Sequence, residues 1–119
     1  MDKVLVNTHQ LIGAELDWAV ANYVTGTLLA IPCHPIDALA GYSPSTNWQH
    51  GGPLIEEYIG ELVRNQEGFS EPLEPWYADC DVFWQIGGTA LVAVCRAVLA
   101  KAVGQTVAIP AELSDVYPN

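Results

Sequence analysis

Residues 87–104 read GGTALVAVCRAVLAKAVG. Two glycines and a threonine precede an unbroken helical pattern, and a glycine closes it. Leu91, Val94, Cys95, Val98 and Ala102 recur at steps of three and four, the spacing of one apolar seam on an α-helix. Thr89 offers a hydroxyl as N-cap, and Gly104 suits the C-terminal cap. Arg96 and Lys101 fall off the seam. A helix with this much apolar surface needs a second layer to cover it.

The rest of the chain supplies candidates for that layer. KVLV (3–6) predicts a short strand, and Asn7 and Thr8 are caps for a helix over 9–24 that aligns Leu11, Ile12, Leu16, Ala19, Val20 and Tyr23. Thr25-Gly26 stops it. TLLAIP (27–32) predicts a buried strand. Residues 32–53, broken by Pro32, Pro35 and Pro44, predict a long loop with one helical turn at Ile36–Leu39. Pro53 opens a short helix bearing Leu54, Ile55, Tyr58 and Ile59. Leu62–Arg64, the aromatic-rich WYADCDVFWQI (76–86) and Val107–Ile109 read as strands. The expected class is α+β, a single domain over 1–119 with two main helices packed on a short, mostly antiparallel sheet.

Half the residues are apolar and 15% are charged, which favours a folded globule over disorder. No apolar run approaches the ~20 residues that span a bilayer, and MDKVLVNTHQ lacks the apolar core of a signal peptide. The net charge is −10, with Lys3, Arg64, Arg96 and Lys101 the only lysines and arginines. Such a chain is a poor match for nucleic acid or anionic membrane, both of which call for clustered cations. The acids are scattered. Glu67, Glu71 and Glu74 lie in a Gly/Pro-containing loop and read as solvated.

Cys33, Cys80 and Cys95 are odd in number, widely spaced and without C-x-x-C, so they read as free thiols. A zinc site from Cys33, His34 and Cys80 lacks paired ligand spacing, and no cofactor or metal is expected. Asp79 and Asp81, two apart on a strand, would share a face and could bind a metal; a solvated strand face is the plainer reading. His9, His34 and His50 are the only imidazoles, and none stands in a nucleophile motif. No catalytic residue is assigned, and the chain is expected not to be an enzyme.

Two stretches offer binding chemistry. In SPSTNWQHGGP (43–53) Trp48 presents a flat ring, while Ser45, Thr46, Asn47, Gln49 and His50 offer hydrogen bonds. Gly51 and Gly52 would let a ligand approach the backbone. The opposing reading makes Trp48 a core plug. The second stretch is Gly87-Gly88-Thr89 at a helix start, with Arg96 two turns on, which suits a phosphate; the plain alternative is an N-cap.

Three blocks, LIGAELDWAVA (11–21), YSPSTNWQHGGPLIE (42–56) and GGTALVAVCRAVLAKAVGQTVAIPAEL (87–113), resemble in order and spacing the NinX-like family of small phage proteins of unknown function. The family's blocks run approximately L-x-G-x-x-L-D-W-A-V-A, S-T-D-W-x-x-G-G-P-I-I-E and G-P-T-P-L-I-A-A-M-R, ending in V-P-x-E-L. Asn47 stands where the family has Asp, and Gly88 and Ala90 replace two prolines. The resemblance implies a phage origin; with no signal peptide or spanning run read in the sequence, the expected location is the host cytoplasm. With it, the expected function is sequestration of a small nucleotide-derived ligand, such as a host defence signal, by a homo-oligomer. The alternative is an acidic protein–protein inhibitor or adaptor.

Overall fold

The architecture is built around the apolar helix that follows Gly87-Gly88-Thr89. In a computed structural model that describes residues 3–65 and 74–113, this helix, α4 (Ala90–Val103), starts where the Thr89 hydroxyl accepts the Val92 N–H at 3.2 Å and ends at Gly104, φ 86°. It is more central than a one-sided seam implies. Every residue from Ala93 to Ala100 is buried, Arg96 among them. Ala93, Ala97 and Ala100 leave room for neighbours to approach on several sides.

The remaining elements are β1 (Lys3–Asn7), α1 (Gly13–Val20), α2 (Pro35–Ala38), α3 (Trp48–Tyr58), β2 (Glu61–Arg64), β3 (Trp76–Cys80), β4 (Phe83–Gly87) and β5 (Thr106–Pro110). β2, β3 and β4 form an antiparallel sheet in that order, and β1 pairs antiparallel with β5 in a separate two-stranded ribbon. α4 lies against β3 and β4 on one side and against α1 and α3 on the other. The class is α+β, as expected. The core runs from Leu16, Ala19 and Val20 on α1 through Val94, Val98 and Leu99 on α4 to Ala78, Val107 and Ile109 on the strands. Among the described residues no helix is long and apolar enough to cross a membrane.

Four local expectations are corrected. The continuous helix over 9–24 is broken: Thr8–Gln10 forms a 3-10 turn, Leu11 and Ile12 are extended, and Gly13 takes φ 58° before α1 begins. Arg96 Nε donates to the Leu11 carbonyl at 2.9 Å, a tertiary bond that replaces the helical one there. After Val20 the helix widens into a π-turn over Ala21–Thr25 and stops at Gly26, φ 65°. TLLAIP is not a strand; Leu29 and Ile31 are exposed, and Leu29 N–H bonds the Ala38 carbonyl of α2. WYADCDVFWQI is two strands rather than one, because Asp81 adopts φ 61° in the tight turn with Val82. Finally, the segment 48–53 is helix rather than loop: α3 begins at Trp48 and carries Pro53 inside it.

Candidate functional site

The Ser43–Asn47 turn is fixed from three directions. Asp17, buried on α1, accepts the Ser45 N–H at 2.8 Å. His50 Nδ1 accepts the Ser43 N–H at 3.0 Å, and its ring lies 5.3 Å from that of Tyr42. Thr46 and Asn47 both donate their N–H to the Ser43 carbonyl. Burial pushes the Asp17 carboxyl above its ordinary range, while the Ser45 amide and then His50 pull it partly back. The Ser45 Oγ is buried and has no hydrogen-bond partner among the described residues.

The turn delivers the chain into α3. The Asn47 side chain accepts the Gln49 N–H at 2.9 Å, and the Asn47 carbonyl takes the N–H of His50 and Gly51. Gly51 then lies against the first turn of α4. A Cβ there would stand 2.5 Å from the Pro44 carbonyl oxygen and 2.6 Å from Leu91 Cδ2. This contact sets the N-termini of α3 and α4 side by side.

Between them is an open cleft of about 250 Å³ lined by Ser45, Thr46, Trp48, Thr89, Ala90 and Leu91. Trp48 is 59% exposed and is no core plug. The Val92 N–H is capped by Thr89, whereas those of Ala90 and Leu91 fall ahead of the intrahelical ladder. Partial positive charge at a helix start favours an anion at such a place.

The two sequence-predicted stretches therefore meet, though not with all their residues. Thr46, Trp48 and Thr89 border the cleft. Asn47 is spent on the cap, and His50 is turned to Ser43 and Tyr42. Gln49 is exposed and not part of the lining, Gly51 is pressed against its own chain, and Gly52 faces open space. Arg96 is corrected from a ligand residue to a structural one. It is 3% exposed, and besides Leu11 it bonds the Ile86 carbonyl and Glu74, each at 2.8 Å. Glu74 is thus an ion-pair partner, while Glu67 and Glu71 lie outside the described residues. Ala90, Leu91 and the buried state of Ser45 were missed; the chemistry of the first two is main-chain and has no residue signature.

The remaining candidates separate. His34 Nδ1 accepts the Ile36 N–H and starts α2, while Cys80 is buried in β3. Asp79 lies on β3 within 3.4 Å of the Tyr77 hydroxyl, whereas Asp81 is in the turn, paired with Lys101, so the two do not share a face. Among the described residues no group of three His, Cys, Asp or Glu is placed to hold a metal ion.

The family model for NinX of bacteriophage P22 matches residues 7–102. The chain belongs to the NinX family. No curated protein matches it. The NinX blocks close a ring of contacts in this fold. Asp17 of the first block holds Ser45 of the second, Gly51 of the second packs on Leu91 of the third, and Arg96 of the third returns to Leu11 of the first. The Asn47 departure is accommodated because Asn and Asp cap a helix about equally well.

Proposed function

We propose that this NinX-family chain is a non-enzymatic binding protein that captures a small nucleotide-derived molecule, acting in the host cytoplasm. The observation that carries the reading is the cleft itself: Trp48 and Thr89, each singled out in the sequence for separate reasons, border one space beside two helix N-termini. An exposed indole supplies a stacking surface for a base or similar ring. The Ala90 and Leu91 amides, with the Thr89 end of α4, suit a phosphoryl oxygen and require no lysine or arginine. Such a site fits a chain of net charge −10. The cleft is smaller than the roughly 300 Å³ at which whole-ligand pockets begin, so it would grip one end of the molecule. The chain's four Trp and five Tyr support a homo-oligomeric form, since aromatics are enriched at interfaces.

The test is to heat-denature the purified protein and identify released small molecules by mass spectrometry, then titrate the released compound back by calorimetry. An intact nucleotide-like compound is expected, with Trp48→Ala weakening it about tenfold, the equivalent of ~1.4 kcal/mol. The same variant should melt within about 1 kcal/mol of the parent, because Trp48 is exposed. Release of nothing, or of a chemically altered product, overturns the reading.

A further inference from the structure

The three-stranded sheet has a face that α4 does not cover. Ala78 and Cys80 are buried toward α4, so strand alternation turns Tyr77 and Asp79 the other way. The register aligns Glu61, Asp79 and Trp84 in one cross-strand row and Val63, Tyr77 and Ile86 in the next. Trp84 is 58% exposed and Val63 is 41% exposed. The Tyr77 and Trp84 rings stack at 5.9 Å with 24° between planes. The Tyr77 hydroxyl lies 3.4 Å from Asp79 Oδ2. The face is thus an aromatic plane bordered by carboxylates.

We propose that this face docks an arginine-bearing basic segment of another protein. The face of an indole attracts a cation within about 6 Å of its centroid, and a planar guanidinium stacks on it better than an ammonium does. Glu61 and Asp79 stand in the same row as Trp84, so a guanidinium stacked there would find carboxylates at its edge. The charge of the whole chain, −10, steers a basic partner toward it. Two other occupants fit worse. A face-to-face pair of copies would bury the carboxylates of both Glu61–Asp79 rows on one surface, and Arg64, by alternation, falls on the opposite side of β2 from them. Nucleic acid would meet the same carboxylates with its phosphates. The site is separate from the cleft and does not depend on a ligand there.

The experiment uses the full chain and a fluorescein-labelled peptide of alternating arginine and serine, with anisotropy read at low salt. Binding is expected to weaken about tenfold in Trp84→Ala and severalfold or more in the double variant Glu61→Gln/Asp79→Asn. Replacing the peptide's arginines by lysines should weaken it severalfold at unchanged charge. Glu56→Gln, an exposed carboxylate on α3, should leave affinity unaltered. If Trp84→Ala fails to fold, the double variant and the lysine peptide decide. Three results would overturn the proposal: no binding, equal weakening by Glu56→Gln, or a dimer in light scattering that Trp84→Ala dissociates. The last would place a second copy on the face.

Discussion

The carboxylate of Asp17 accepts the main-chain N–H of Ser45 at 2.8 Å, inside the protein and across the joint between α1 and the turn before α3. The bond favours the charged form, yet burial is the larger influence and holds the Asp17 carboxyl above its ordinary 3.8. The folded chain therefore takes up this proton at a higher pH than the unfolded chain. Its stabilising share is full below the unfolded value of about 3.9 and is lost as pH rises through the raised folded value. At neutral pH, Asp17→Asn keeps the acceptor and removes a buried charge, so it should be as stable as the parent or more so. Asp17→Ala strands the Ser45 N–H and should cost about 1–3 kcal/mol. On acidification from pH 7 to below 4 the parent should gain relative to Asp17→Asn. Urea melts across that range check both statements; an Asn variant as unstable as the Ala variant contradicts them.

Gly51 and Gly52 are neighbours with opposite expectations. In Gly51→Ala the new methyl meets the Pro44 carbonyl oxygen, main-chain and unable to step aside, so about 1–3 kcal/mol of stability should be lost. In Gly52→Ala the methyl meets nothing within 4 Å, and a helical glycine becomes a better helix former, with a gain of about 0.5–1 kcal/mol. Thermal melts of the two single variants should move in opposite directions.

Arg96 ties together Leu11, Ile86 and Glu74. Arg96→Ala leaves a carboxylate and two carbonyls without their donor and should cost about 3–5 kcal/mol. Arg96→Lys should recover only part, since one ammonium lacks the fixed fork of the guanidinium. A normal melt combined with lost ligand capture would instead make Arg96 a ligand residue.

The thiols should differ sharply in reactivity. Burial pushes Cys80 up, and pushes Cys95 well beyond the ordinary thiol range, so neither presents a thiolate near neutrality. Cys33 is partly exposed. Iodoacetamide followed by peptide mass spectrometry should label Cys33 in the native protein, and Cys80 and Cys95 only after denaturation. Prompt labelling of all three would contradict the packing described.

Legibility in the sequence followed the range of the interactions. α4 was readable because its signals are local: a threonine cap, a 3.6-residue seam and a closing glycine. β1, β2 and β5 were readable for the same reason. The helix over 9–24 had the right periodicity, but its break at Leu11 depends on Arg96, which is distant in sequence. The hairpin inside 76–86 turned on one aspartate accepting a left-handed backbone, a weaker signal than Gly or Asn-Gly. In 43–53 the Gly-Gly-Pro run looked like a breaker; the helix forms because Asn47 caps it and α4 supplies a surface against which only glycine fits at position 51. Trp48 and Thr89 could be named as candidates, yet their meeting at one cleft is a product of that packing.

The β1–β5 ribbon has a consequence for how the chain is made. Lys3 pairs with Pro110 and Asn7 with Thr106, and Thr8 bonds the Gly104 and Gln105 carbonyls. During synthesis β1 leaves the ribosome long before its ladder partner β5 exists, and closing a loop of about a hundred residues is entropically costly and slow. β1 therefore waits unpaired, with Leu5 in its middle, until β5 has emerged. A chain cut short after α4 has an open strand edge, a form prone to sticking to its neighbours.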